Sequence, residues 1–367
     1  MIAIILSIVL GVYLIVISLL IYGFTKIKNY DSIGLKPKTV FTIIVPFRDE
    51  ADNLPILLDS FSKLNYPTTL FQVILVDDES KEKFQVSNYT FQISIIDNIR
   101  QTKSPKKDAI LTAIDTVNTD WVITTDADCV VTENWLLTLD NYIQTHTVSM
   151  IAGAVTYDCN HSFLQQFQQL DIASLQGATI GSFGIGKGFM CNGANLAYTK
   201  SFFQELNGFD GNDKIASGDD VFLLQKAIAH SVKKVYYLKS KNNIVTTKPL
   251  DDWKSLFHQR VRWAAKTTSY QSGFGKGLGI VVFMGNLGVI IGCGLWVLNL
   301  LEWEIILVLL VLKYVIDALL IFKTNIFSGT KTNYLIRSSL LYPFFSVAVA
   351  LYSVFGKYEW KGRKFPK

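Results

Sequence analysis

The segment Trp121-Val-Ile-Thr-Thr-Asp-Ala-Asp128 is a short apolar, β-branched run that ends in two carboxylates one residue apart. A strand that stops there delivers both acids, or one acid and its backbone, to the open end of a sheet, where α/β folds place ligands. Hard carboxylate oxygens in that place suit Mg²⁺ or Mn²⁺, and a metal there clamps a diphosphate. Alone, Asp-x-Asp is more often turn chemistry. Its weight comes from the strands on either side.

Thr42-Ile-Ile-Val-Pro46 is one such strand, followed by the polar Phe47-Arg-Asp-Glu50 and a helix that carries Leu54, Leu57, Leu58 and Phe61 on one face. Phe71-Gln-Val-Ile-Leu-Val76 is a second, ending in Asp77-Asp78-Glu79-Ser80, and Ile93-Ser-Ile-Ile96 a weaker third. Residues Lys106 to Thr116 read as a helix before the strand at Trp121. Strands alternating with helices predict a largely parallel, doubly wound sheet. Both acidic clusters then share its carboxyl edge, where such sheets bind nucleotide.

Half of the 367 residues are hydrophobic and 18% are charged, so a globular domain shares the chain with membrane segments. Ile2 to Tyr22 carries no charge and is long enough to cross roughly 30 Å of hydrocarbon. A signal peptide fits poorly, because no basic stretch precedes the run and no small-residue cleavage site follows. Lys26, Lys28, Lys36 and Lys38 come next, which places the following domain in the cytoplasm by the positive-inside rule. Leu278 to Leu301 and Ile305 to Phe322 read as two further spans, joined by Glu302-Trp303-Glu304.

A third apolar run, Ser338 to Phe355, contains Pro343. Were it to span, the basic tail Lys357, Lys361, Arg363, Lys364 and Lys367 would land outside against the charge rule, so a re-entrant or interfacial segment is expected. Phe163 to Phe189 mixes apolar residues with Gln and Gly, as a segment resting on the bilayer would. Lys313 and Asp317, one helical turn apart inside a span, are expected to pair with each other. The expected parts are an N-terminal transmembrane helix (1–24), a cytoplasmic domain (40–265), C-terminal membrane segments (277–356) and a basic tail (357–367). Four cysteines without CxxC spacing suggest neither a zinc site nor a disulfide framework and fit a reducing compartment. The net charge of +5 clusters near membrane ends, so anionic lipid explains it better than nucleic acid.

The order Ile43-Ile-Val-Pro-Phe-Arg-Asp-Glu50, Val76-Asp-Asp-Glu-Ser80, Lys106-x-x-Ala109-Ile110 and Asp126-Ala-Asp128 resembles the family 2 glycosyltransferases of GT-A fold. Asn192-Gly193, Gly208-Phe209-Asp210, Gly218-Asp219-Asp220 and Gln259-Arg-Val-Arg-Trp263 continue it. The last motif, close before a hydrophobic stretch, resembles the membrane branch of cellulose, chitin and hyaluronan synthases and ceramide glucosyltransferases. The resemblance implies an α/β GT-A cytoplasmic domain with one N-terminal and two to three C-terminal transmembrane helices.

By that resemblance Asp78 contacts the uracil or ribose of the donor, and Asp77 supports its loop. Asp128, aided by Asp126, holds the divalent ion on the two phosphates, with Lys106 adding positive charge, although Pro105 stands where the family often has Gly. Asp220 is the general base. Asp219 beside it would raise its pKa if both are buried and would cap the helix that starts at Val221. Gln259, Arg262 and Trp263 share a helix face. Arg262 grips the diphosphate, while Gln259, Trp263, Asp219 and Asn192 serve the acceptor.

The implied activity is inverting hexosyl transfer from a nucleotide-sugar donor, UDP-sugar first, to a lipid or lipid-linked acceptor at the cytoplasmic face of a bacterial inner membrane. The partners are donor, lipid or glycan acceptor and membrane lipids, with no nucleic acid. A processive polysaccharide synthase is the first alternative, for which three or four apolar segments are few unless chains associate. A non-catalytic sugar-nucleotide-binding regulator is the second. A glycosidase would need an acid and a nucleophile or base flanking the bond, and the acid pairs here sit beside phosphate-binding positions instead.

Overall fold

The computed structural model describes residues 1–86, 88–212, 217–355, 358–360 and 363–365. In chain order, helix α1 (Ile2–Lys26) precedes β1 (Phe41–Phe47), α2 (Leu54–Ser62), β2 (Phe71–Asp77), β3 (Gln92–Asp97), α3 (Pro105–Thr116), β4 (Trp121–Thr124) and β5 (Cys129–Val130). Then come α4 (Trp135–Thr145), β6 (Met150–Gly153), β7 (Val155–Tyr157), α5 (Phe163–Gly184), β8 (Leu196–Thr199), α6 (Lys200–Glu205), α7 (Asp219–Ser231), β9 (Val235–Leu238) and β10 (Val245–Thr247). The remainder is α8 (Trp253–Ala265), α9 (Gly273–Val297), α10 (Trp303–Ser328), α11 (Leu335–Phe355) and a hairpin of β11 (Tyr358–Trp360) and β12 (Arg363–Phe365). Of the expected basic tail, Lys357, Lys361 and Lys367 lie outside the described residues.

Two units divide these elements. Residues 28–158 and 190–248 form the α/β unit, and residues 1–27, 159–189 and 249–367 form the helical one.

A seven-stranded sheet of order β3-β2-β1-β4-β8-β6-β9 organises the α/β unit. The run β3-β2-β1-β4 is parallel, as the strand–helix alternation predicts. β8 is the exception in a sheet that is largely parallel as expected, because it lies antiparallel between β4 and β6 while β6 and β9 run parallel to each other. Its chain enters from the loop at Asn192 and pairs directly with β4, so no crossover helix sets its direction. Strands β1 and β2 are buried on both faces and accordingly read as continuous apolar runs. Ile43, Val45, Leu57, Leu58, Trp135 and Leu139 fill one core, where Phe61 stacks on Trp135.

Asn195 ties this unit together from a site with 2% exposure. Its amide donates to the carbonyls of Ala154 (2.9 Å) and Asn243 (2.6 Å), and its oxygen accepts from Trp135 Nε1 (3.1 Å). Asn195→Ala strands buried donors and acceptors and is expected to cost about 3 kcal/mol, read as an earlier denaturant midpoint for the α/β unit.

In the helical unit α1, α9, α10 and α11 are each long and apolar enough to cross a membrane. The third C-terminal run, expected as a re-entrant or interfacial segment, is one continuous helix through Pro343, which corrects the re-entrant form. A proline interrupts one ladder bond, which neighbouring helices in a bundle tolerate. The surface-lying expectation for Phe163 to Phe189 is corrected as well. Helix α5 buries most of its length, Gln166, Gln168, Gln169 and Asp171 included, and packs against α1 and α10. Glycine makes that possible: a Cβ on Gly184 would stand 1.8 Å from the Gly23 carbonyl oxygen, so the two backbones touch. Lys313 and Asp317 pair at 2.7 Å as expected, and Tyr13 of α1 completes the site by donating to Asp317 at 2.6 Å.

Candidate active site

Because β1, β2 and β4 run parallel in register, Asp77 at the end of β2 and Asp126 just past β4 emerge at one sheet edge. The loops after β1 and β2 are locked to each other there. Asp49 and Glu79 hold left-handed backbone (φ 52° and 61°), the Asp49 amide donates to Ser80 Oγ, and the Lys81 amide donates to the Asp49 carboxylate. Residues held in sparsely populated backbone regions cluster at functional sites.

Asp77 supports its loop, accepting from the Ser80 amide (2.9 Å) and from Lys83 Nζ (3.0 Å). Burial works against its charge, yet these hydrogen bonds win and hold its carboxyl below the usual range. Asp78 is 5% exposed and accepts from Asn98 Nδ2 (2.7 Å) and Arg100 (3.3 Å), while Arg48 reaches its carbonyl at 3.2 Å. Arg100 is fixed in turn by buried Asp108 of α3 (3.1 Å). The motif reading passed over Arg48, Asn98 and Arg100. The signal for them was general: a buried carboxylate at a strand end requires donors from the loops beside it.

Pro105 settles the geometry left open by the missing glycine. It occupies the first turn of α3, where a proline's lost N–H has no helical partner and its fixed φ suits the helix. Lys106 follows and points at Asp126, with Nζ 2.6 Å from Oδ1, and stands 3.5 Å from Asp219 Oδ2. Burial disfavours this ammonium, but Asp126, Asp219 and Asp220 outweigh it and hold its pKa well above the lysine range. Asp128 is the contrasting case: burial, Asp126 and Glu50 push its carboxyl up to about 6.

At the start of α7, Gly218 (φ 87°) is the N-cap and no side chain caps the helix, which corrects the expected role of Asp219. Asp219 is drawn to Lys106 instead. It is Asp220 that meets backbone donors, accepting from Val221 N (2.7 Å, Oδ1) and Gly193 N (3.0 Å, Oδ2). The carboxylate pair therefore comes with a cation, Lys106. Asn192 caps the short turn 193–195 by accepting from Ala194 N, and the Gly193 carbonyl accepts from Thr124 Oγ1 (2.7 Å). Gly193 thus joins the end of β4 to the base candidate.

A Cβ on Gly193 would lie 3.0 Å from Asp219 Oδ2, 3.2 Å from Lys106 Nζ and 3.4 Å from the Asp220 Cβ. Gly193→Ala is expected to shift these groups by tenths of an ångström and to slow turnover about ten-fold or more, since misplaced groups lose rate steeply. The thermal midpoint should stay near the parent's, because the added methyl presses on movable side chains.

Gln259, Arg262 and Trp263 stand on α8 in the helical unit. There the buried charged member of the motif is Arg260, which the sequence reading did not single out. Its guanidinium pairs with Asp171 of α5, donates to Gln259 Oε1 and lies 4.3 Å over the Trp263 ring. Asp171, a lone acid within a helix of apolar, glutamine and glycine residues, was the available signal, since a buried carboxylate needs such a partner. Among the described residues no three His, Cys, Asp or Glu side chains converge on a metal position. Asp126 and Asp128 supply two carboxylates, which fits an ion such as Mg²⁺ that takes its remaining ligands from phosphate and water. The unmet negative charge that raises Asp128 fits a cation there as well.

A mixed α/β sheet with Asp77 and Asp126 at one edge, and Lys106 joining Asp126 to Asp219 at the start of α7, has the GT-A fold. Residues 42–206 match the family described as Glycosyl transferase family 2. Similar solved structures include the mannosyltransferase PcManGT from Pyrobaculum calidifontis, in complex with GDP-Man and Mn²⁺. It is 16% identical, with a TM-score of 0.58 over 96% of this chain and 98% of that one. Residues 1–349 of S. aureus TarS align at 12% identity and a TM-score of 0.43 over 90% of this chain and 97% of that one. No curated protein matches the sequence.

Proposed function

We propose that this protein is an inverting, metal-dependent membrane glycosyltransferase that moves a sugar from a nucleoside diphosphate, UDP-sugar first, to a lipid or lipid-linked acceptor at the cytoplasmic membrane face. The observation that carries the proposal is the gathering of Asp126, Lys106, Asp219, Asp220 and the Gly193 backbone beside the end of β4. Asp220 takes the proton of the acceptor hydroxyl as that oxygen bonds to the anomeric carbon, and the bond from that carbon to the diphosphate oxygen breaks. One base with no second catalytic carboxylate suits a single displacement, hence inversion.

Asp78 and its donors hold the nucleoside, with Asp77 fixing the loop. Asp128 and Asp126 would hold a divalent ion, which supplies Lewis-acid charge to the leaving diphosphate. The Mn²⁺ and GDP-Man bound by the mannosyltransferase of like fold support that assignment. Arg262 is assigned to the diphosphate, and Gln259, Trp263, Asp219 and Asn192 to the acceptor. The four spanning-length helices among the described residues favour a lipid acceptor over a secreted polymer, which requires a channel.

The test is donor hydrolysis by the purified full-length protein across UDP- and GDP-sugars, with and without Mn²⁺, followed by product analysis with radiolabelled donor and membranes. Label that partitions with lipid supports the proposal. A polymer retained at the chromatographic origin would overturn the acceptor assignment.

A further inference from the structure

The group that joins the two halves of the candidate site is Lys106. Its ammonium sits on Oδ1 of Asp126, the acid assigned to the metal, and faces Asp219 of the acceptor pair. It is not a loose surface charge. Its side chain is 21% exposed, and it is seated against Gly193, where even a methyl group would come within 3.2 Å of Nζ. Lys106 is also anchored by the first turn of α3, which begins at Pro105.

A divalent ion held by Asp126 and Asp128 would draw on the same carboxylate and stand within a few ångströms of that ammonium. Cation and ammonium repel, and in a partly buried site water screens them poorly. A diphosphate changes the balance, because its several negative charges attract both. Metal and donor therefore favour each other's binding, since metal alone meets the Lys106 ammonium and donor alone meets the carboxylates of Asp126, Asp128 and Asp219.

We propose that Lys106 couples the two: it withholds Asp126 from free divalent ion and releases it when a nucleoside diphosphate brings its own charge. The consequence is order in loading, with metal entering together with the donor. By reciprocity, the factor by which the nucleotide strengthens metal binding is the factor by which metal strengthens nucleotide binding. This inference rests on the assignment of Asp126 and Asp128 to a metal.

The experiment is Mn²⁺ binding to the full-length protein in detergent, measured by the loss of the free-ion paramagnetic resonance signal, without nucleotide and with saturating UDP or GDP. The parent is expected to bind Mn²⁺ weakly alone and about ten-fold or more tightly with nucleotide. Lys106→Met should bind Mn²⁺ about ten-fold more tightly than the parent without nucleotide and lose most of the nucleotide enhancement. Lys106→Arg, which keeps the charge, should behave as the parent. Lys106→Gln removes the charge but keeps a hydrogen-bond donor, and reads the same competition should the methionine variant not fold. Unchanged Mn²⁺ affinity in the neutral variants, alongside nucleotide-dependent binding in the parent, would overturn the coupling and leave the metal assignment standing. No Mn²⁺ binding by any variant, with or without nucleotide, would overturn both.

Discussion

Asp220→Asn is expected to bind nucleoside diphosphate as the parent does and to transfer sugar about a thousand-fold more slowly, within the range that a positioned general base contributes. The substitution is nearly isosteric, and the amide oxygen can still accept from Gly193 N or Val221 N, which now hold the two carboxylate oxygens at 3.0 and 2.7 Å. Only one of those bonds survives, so a stability loss of about 1 kcal/mol accompanies the change. In the parent Oδ1 accepts from Val221 N and Oδ2 from Gly193 N, and the carboxylate is the basic group that takes the proton of the acceptor hydroxyl. The amide has no basic site to take that proton. Asp219→Asn, by contrast, weakens a contact to Lys106 at 3.5 Å and should reduce rate far less. Comparing kcat with the donor Kd from calorimetry separates the two roles. Full activity in Asp220→Asn would refute the base assignment.

Much of the domain is legible in the sequence, because its strands are apolar runs that end in acids. Trp121 to Thr124, Phe71 to Asp77 and Phe41 to Phe47 are strands, and their parallel pairing puts Asp77 and Asp126 on one edge. The direction of β8 was not legible, since it depends on how the chain arrives at Asn192, which no local pattern records. Neither was the fate of α5, whose glutamines and glycines look interfacial until they meet a facing glycine at Gly23. Side-chain partners were the least legible. Capping at the start of α7 depends on Gly218 taking positive φ, and the pairing of Lys106 with Asp126 crosses from a helix start to a strand end. Asp219 was expected to cap and Asp220 to reach the acceptor; instead no side chain caps the helix, and Asp219 faces Lys106.

Asp128→Asn is the second large change, and its effects on function and on stability have opposite signs. As a candidate ligand it would carry the cation with Asp126, and its loss should weaken Mn²⁺-supported donor binding by about a hundred-fold or more, beyond the 10–100-fold typical of outer-shell changes. The pH dependence supplies a second readout. The carboxyl is pushed up to about 6 by burial, Asp126 and Glu50, so below that pH a proton must leave before a cation can bind. Mn²⁺-supported donor binding by the parent should fall by about ten-fold per pH unit below pH 6 and level off above it. Asp128→Asn should flatten that limb.

Stability runs the other way. An aspartate with a folded-state pKa raised above its unfolded value binds its proton more tightly when folded, so stability falls as pH rises from about 4 to about 6. At neutral pH the whole penalty is present. Asparagine removes the charge and the penalty with it, and the variant's thermal midpoint at pH 7.5 should exceed the parent's by a few degrees while matching it near pH 4. A carboxylate kept at a site where it destabilises the fold is what a cation-binding role requires. A variant less stable than the parent at pH 7.5 would show that Asp128 serves the fold instead.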